Sequence, residues 1–289
     1  MYPPVVTKDA TAVEAEVQSA YLTMFPQGDA LFVPQVFNWA SDCFAGRIAG
    51  YQPIDACYHD FEHTLQGTLC FARLLNGHFK AGIHPAITER MLQLGLIGIL
   101  FHDTGYLKKQ GDNDGTGAKY TATHVDRSMA LVELFLEQKK GFAPEEIKAV
   151  KHMISCTGIN AVIGQIPFQS EAEKLIGLAL GTADLLGQMA AEDYVDKLPV
   201  LYTEFAEATV FSAGRSVMVG TFCSAEDLMQ KTPVFWGKYV QPRLNTDFEA
   251  VFRFLNHPYP AGTNYYLEKI EANMVRLKTR LKEYRESVH

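Results

Sequence analysis

The sequence predicts an all-α fold, a single helical bundle, and three observations carry that reading. Apolar residues recur at spacings of three and four through most of the 289 residues, the period of helices with one buried face. Strand signals are scarce: Val162-Ile-Gly-Gln-Ile-Pro is a short candidate, and Pro167 weakens it. No Pro/Ser-rich linker, internal repeat or low-complexity tract divides the chain, whose length at about 100–200 residues per domain suits one large domain.

Taken in order, the helical spacing runs from Thr11 to Phe25 and from Phe32 to Ile48. His59 to Phe79 carries Phe61, Leu65, Leu69, Phe71 and Leu74 on successive turns. Pro85 stands where a helix can begin, and the segment behind it runs to His102. Ser128 to Gln138 follows, then Pro144 to Ser155, whose Pro-Glu-Glu start makes a favourable first turn. Glu171 to Met189 and Tyr194 to Phe211 are further helices. The last runs from Tyr265 to Val288, with Leu267, Ile270, Met274, Leu277 and Leu281 on one face.

Composition narrows the class. Hydrophobic residues make up 47% and charged residues 20%, a globular balance that argues against disorder. The formal net charge of −7 argues against a broad basic surface for nucleic acid. The longest apolar run, Leu94 to Phe101, falls far short of the ~20 residues of a membrane span. No basic segment followed by an apolar core opens the chain, so no secretory signal is expected. Cys43, Cys57, Cys70, Cys156 and Cys223 contain no CxxC pair; free thiols in a reducing cytoplasm fit them better than a disulfide frame. Gly115-Thr-Gly-Ala-Lys-Tyr-Thr fits neither GxxxxGK[ST] nor GxGxxG, and no GxSxG is present.

The histidines are unevenly placed. His59 and His63, in Tyr58-His-Asp-Phe-Glu-His63, are four apart, which on a helix puts both imidazoles on one face. His102-Asp103 closes the most apolar helix, and Thr104-Gly105 follows it. His124 follows the glycine-bearing loop, and His152 lies within a helix. Asp184 sits on an otherwise apolar helix, where a carboxylate needs a partner. A metal is the partner that also explains the histidines: imidazole with carboxylate suits Zn, Fe, Mn, Co or Ni, and carboxylate with water suits Mg or Mn. His78, His84, His257 and His289 are read as ordinary core or surface residues.

The pattern His63, His102-Asp103 and Asp184 resembles the H…HD…D signature of the HD-domain metal-dependent phosphohydrolases, over about Tyr51 to Phe205. Tyr58-His59 with His63 also resembles the YHNxxH motif of class I cyclic-nucleotide phosphodiesterases, with Asp60 in place of the Asn. The resemblance implies an HD helical bundle: 1–50 as an N-terminal helical extension, 51–205 as the metal-binding core, and 206–289 as C-terminal helices packed on it. It makes His63, His102 and Asp184 ligands of one divalent ion. Asp103 bridges to a second ion held by His124 and His152, and His59 is the acid toward the leaving oxygen. The implied reaction is phosphoester hydrolysis by metal-activated water. The implied partner is a small phosphorylated substrate, a nucleotide or cyclic nucleotide foremost. No membrane partner is expected, and a homodimer is compatible with the chain.

Lys108, Lys109, Lys119 and Arg127 flank the stretch from His102 to His124 and are candidate phosphate ligands. The loop Gln110 to Thr123 is a candidate lid. Phe235-Trp236 and Tyr239 are candidates for a substrate wall. Three other readings stand beside the hydrolase. HD-fold di-iron oxygenases use a similar ligand set. His59-Asp-Phe-Glu-His63 fits the inverted zincin spelling H-x-x-E-H, with Glu62 as base, but leaves His102-Asp103 and Asp184 unexplained. A regulatory module with a structural metal is the third.

Overall fold

A computed structural model of the chain describes residues 2, 4–211 and 221–287. Three helices form its centre: α3 (Phe61–Ala81), α4 (Glu89–Phe101) and α7 (Glu171–Met189). Each has an unbroken buried stretch: His63 to Leu75, Leu92 to Phe101 and Leu175 to Ala183. A helix buried all round must be enclosed on all sides, and the remaining elements do this. They are α1 (Ala10–Met24), α2 (Phe32–Phe44), α5 (His124–Glu137), α6 (Pro144–Ser155), α8 (Tyr194–Phe211), α9 (Ala225–Phe235), α10 (Gln241–Asn245) and α11 (Tyr265–Ser287).

One hydrophobic core joins them. Val17 and Phe37 from the N-terminal helices, and Leu228, Trp236 and Ile270 from the C-terminal ones, belong to the same buried cluster as Leu69, Ile97 and Leu180. The fold is therefore all-α and a single domain. Among the described residues no helix is long and apolar enough to cross a membrane. Val288 and His289 lie outside the described residues, as does 212–220 of the C-terminal segment.

Local chemistry sets the helix ends and accounts for several departures from the expected boundaries. Asp60 caps α3 by accepting from the backbone N–H of His63 at 2.8 Å, so the helix begins at Phe61 and His59 lies ahead of it. The expectation that His59 and His63 share one helical face is thereby corrected. Thr88 caps α4 by accepting from the Met91 N–H at 3.1 Å, and the helix starts at Glu89 rather than at Pro85. Helix α2 stops at Phe44, short of Ile48, and α5 starts earlier than expected, at His124. The strand candidate at Val162 to Pro167 is instead a short 3-10 turn over Ile163–Gln165. Among the described residues the strands are the two-residue pair β1 (Asn256–His257) and β2 (Thr263–Asn264).

Two close approaches between backbones fix where the central helices meet. A Cβ on Gly187 of α7 would stand 2.7 Å from the carbonyl carbon and oxygen of Gln66 in α3. Gly105, just beyond the end of α4, lies against the backbone of His124, and its N–H donates to Ser128 Oγ at 2.8 Å. Glycine at these positions brings α7 onto α3, and the start of α5 onto the segment that follows His102-Asp103.

Candidate metal centre

The three central helices deliver four side chains to one point. His63 comes from the first turn of α3, His102 and Asp103 from the C-terminal end of α4, and Asp184 from the middle of α7. His63 Nε2 lies 3.2 Å from Asp103 Oδ2 and 3.3 Å from Asp184 Oδ1. His102 Nε2 lies 3.3 Å from Asp103 Oδ2 and 3.4 Å from Asp184 Oδ1. The four atoms form a closed ring of alternating nitrogen and oxygen donors.

This ring fits a divalent cation. Ligand atoms ~2.0–2.2 Å from a common ion, at tetrahedral or octahedral angles, are ~3.0–3.4 Å from one another. His102 Nε2 and Asp103 Oδ2 are buried and have no hydrogen-bond partner, a condition costly in itself that a bound cation removes. The other nitrogen of His102 is already committed, donating to the Ile99 carbonyl at 2.7 Å. That bond orients the ring with Nε2 toward the centre, the usual support for a metal-binding imidazole. These four residues can hold a metal ion.

The protonation of the cluster follows from charge. Burial alone would pull the His63 imidazole down, but the Asp103 and Asp184 carboxylates beside it override this and hold it up to about 10. His102 is raised by the same balance, burial against Asp103 first. Burial would raise both carboxyls; the positive charge of His102 and His63 instead holds Asp103 and Asp184 below the usual carboxylate range. Protons therefore occupy, in the metal-free chain, the nitrogens that a cation would take.

His124 reaches the other oxygen of Asp103, with Nε2 3.8 Å from Oδ1. Its Nδ1 donates to the Thr121 carbonyl at 2.7 Å, and burial holds its pKa low, in the neutral form that binds metal. His152 stands farther off. Its Nδ1 is 2.7 Å from Glu173 Oε1, and it lines a cleft together with His124, Thr121 and Lys151. The structure brings His63, His102, Asp103 and Asp184 together with His124 at their edge; His152 is in neither of the tight donor groups found among the described residues.

His59 completes the site. One of its ring nitrogens lies within 4.8 Å of donor atoms on His63 and Asp103. Its Nδ1 is 2.6 Å from Glu204 Oε2, and Glu204 Oε1 accepts from the Tyr58 N–H at 2.7 Å. Burial works to raise Glu204, while His59 and these backbone donors bring it below its ordinary value and keep it ionised. Tyr106 stacks between the two imidazoles, its ring centre 4.5 Å from that of His59 and 4.7 Å from that of His124. Glu204 escaped the sequence reading because nothing local marks it. It is an acidic residue on an amphipathic helix, and its partner is 145 positions away.

The expected phosphate ligands are placed elsewhere. Lys108 is buried and bonded to Asp55 and to the Gly115 carbonyl. Lys119 is bonded to Asp112 and to the Asp114 carbonyl. Arg127 donates to the Gly105 and Leu107 carbonyls, its guanidinium 3.4 Å from the Tyr120 ring centre. Lys109 is exposed, on an edge bridged to Tyr51. Lys108 and Lys119 hold down the 110–123 loop, Arg127 stacks on its Tyr120, and Glu207 and Asp55 also tie it at Thr116 and Gly117. A freely opening lid does not fit that bonding. Among the described residues, the cations that line the cavity beside the metal centre are Lys231 and Arg243, together with Phe235 and Tyr239; Trp236 is buried in the core instead.

The fold and these side chains define an all-α protein with a buried His/Asp site suited to a metal. Residues 110–257 match the model of the Npun_R2479-like family, just over half of the chain, and the chain belongs to that family. The match spans His124, His152, Asp184 and Glu204 and begins after His102-Asp103. No curated protein matches the chain.

Proposed function

We propose that this chain is a metal-dependent phosphohydrolase of the HD type, cleaving a phosphoester with His59 as proton donor to the leaving oxygen. The observation that carries the reading is the convergence of His63, His102, Asp103 and Asp184 on one point with His59 beside them. Two divalent ions are proposed, because Asp103 turns Oδ2 to His63 and His102 and Oδ1 to His124. A divalent ion held there supplies Lewis-acid stabilisation of a phosphoryl group and lowers the pKa of water.

The chain's own residues do the rest. Glu204 accepts at His59 Nδ1, which leaves Nε2 as the nitrogen that exchanges a proton in the cavity. Tyr106 holds the plane of the ring by stacking. Gln188 accepts from the Tyr58 hydroxyl at 3.0 Å and donates to the Asp184 carbonyl, linking the wall beside His59 to the metal end of α7. A cytoplasmic setting suits the five unpaired thiols. The test is metal analysis of protein purified without chelator, then a panel of phosphoesters with that metal. Turnover that chelation abolishes and the metal restores is expected; no hydrolysis across the panel overturns the reading.

A di-iron oxygenase is the second reading. What favours it is the placement of Lys108, Lys119 and Arg127, which leaves few cations among the described residues to meet a phosphate. Oxygen uptake without phosphoester cleavage would decide for it.

A further inference from the structure

Behind the metal centre lies a cavity of about 180 Å³. The metal end is polar: His59, His63, Asp103, His124 and Asp184. The far wall is apolar, with Leu185 from α7, Leu201 and Phe205 from α8, Phe235 from α9, Phe222 just ahead of α9 and Phe248 just beyond α10 facing the space.

Five polar side chains among the described residues of that far wall are already bonded within the protein. Thr157 Oγ1 donates to the Ile154 carbonyl and Thr232 Oγ1 to the Leu228 carbonyl. The Tyr239 hydroxyl donates to the Ile159 carbonyl. Arg243 donates to the Gly158 carbonyl at 2.9 Å, with its guanidinium against the Phe248 ring. Lys231 is held by Asp227 and by the Thr221 carbonyl. A nucleobase or a sugar seated here would lose water from its polar edges and find the protons of these hydroxyls already donated elsewhere, which costs free energy at its acceptor groups. An apolar group loses nothing by the same move.

Volume limits the size of that group. A cavity of ~150 Å³ lined by Leu, Ile and Phe accepts benzene, and the volume here includes the metal end, so the far wall accommodates a hydrocarbon of about benzene size at most. We propose that the substrate is a phosphoester of a small apolar alcohol or phenol, with the hydrocarbon of phenyl or hexyl size in the far wall and the phosphoryl group at the metal end. The proposal rests on the metal-site reading above and narrows its substrate class away from nucleotides.

The experiment is calorimetric titration of the metal-loaded protein with methyl-, butyl-, hexyl-, phenyl- and dodecylphosphonate, with adenosine monophosphate, and with the alcohols ethanol to hexanol. Affinity for the phosphonates is expected to rise about fourfold per methylene from methyl to hexyl, the equivalent of ~0.8 kcal/mol per buried CH₂. It is expected to stop rising at dodecyl, and adenosine monophosphate is expected to bind more weakly than hexylphosphonate. Leu201→Gln and Phe235→Ala should flatten the gradient while methylphosphonate binding persists, which shows the site still folded. A flat series, tighter binding of the nucleotide, or no binding of any probe overturns the proposal. Phosphoester turnover with a flat series sinks this inference alone. A chain-length gradient in the alcohols, with no phosphoester turnover, sinks the phosphohydrolase reading and leaves the apolar seat standing.

Discussion

Asp103 meets His124 through Oδ1, at 3.8 Å, while its Oδ2 lies 3.2 Å from His63. One carboxylate thus serves two sets of imidazoles. A residue that contributes to two ions should matter more to metal content than a residue that contributes to one. Asp103→Ala is therefore expected to lose more metal per chain than His124→Ala or His152→Ala. His63→Ala, His102→Ala and Asp184→Ala should each empty the ring of four donors. Elemental analysis of the purified variants checks this, and unchanged stoichiometry in Asp103→Ala refutes the bridge.

The pH dependence follows from the same cluster. His63 is raised from 6.5 to about 10 in the fold, so its protonated form stabilises the metal-free chain fully below 6.5, and that contribution is lost as pH rises through about 10. Asp103 and Asp184 are depressed, so their contribution is present above the ordinary carboxylate range and lost as pH falls below it. A metal takes the place of the protons, and binding must release them. The melting temperature of chelated protein should fall from pH 6.5 toward pH 10, while that of metal-loaded protein should fall less. The gap between the two is expected to widen with pH. A gap that stays constant would show that the histidines do not exchange protons for metal.

The parts of the fold and site that were legible in the sequence are those where the signal is local. Helix α7 was legible to the residue, because an apolar run is bounded by Ser170 at its start. His102-Asp103 was legible because it closes the apolar run of α4, and Asp184 because a carboxylate interrupts an apolar face. What was not legible depends on partners distant in sequence. Glu204 reaches His59 only after α8 packs beside the start of α3. Lys108 and Lys119 look free in sequence, yet Asp55, Asp112 and two carbonyls bind them. That His59 lies ahead of α3 and not on it was not legible, because Asp60, read as a variant of the motif, is also the helix cap.

Gly187 tests how tightly the site depends on the contact between α3 and α7. In an exposed helix, Gly→Ala is favourable by ~1 kcal/mol. Here the new Cβ would stand 2.7 Å from the Gln66 carbonyl and 2.8 Å from the Gly67 nitrogen, both backbone atoms that cannot swing aside. Overpacking of this kind typically costs ~1–3 kcal/mol, which outweighs the propensity gain. Gly187→Ala is expected to lower stability by that order in denaturant unfolding. It should also weaken metal binding, since Asp184 and His63 lie one turn away on the helices it forces apart. Unchanged metal affinity alongside lost stability would mean that the ring of donors tolerates a shift of α7.

His59 and Glu204 carry the last prediction. A general acid lowers the barrier for departure of the leaving oxygen without holding the metal, and its removal typically costs ~10²–10⁴ in rate. His59→Ala is therefore expected to keep near-normal metal content and to lose turnover by that order. Glu204 acts through His59. Its carboxylate accepts at Nδ1, 2.6 Å away, and so fixes the ring's orientation and leaves Nε2 as the nitrogen that exchanges a proton. Glu204→Gln keeps the shape and can still bond Nδ1, but removes the negative charge. It should lower kcat with metal content and KM little changed, a split that a merely structural residue would not produce. Leaving-group chemistry separates these effects from general damage. Benzyl phosphate departs as an alkoxide and needs its proton, whereas nitrophenyl phosphate departs with little help, and the two groups are similar in size. Both variants should lose far more on benzyl phosphate than on nitrophenyl phosphate. Equal losses on the two esters, or loss of metal in His59→Ala, would remove His59 from the role of acid.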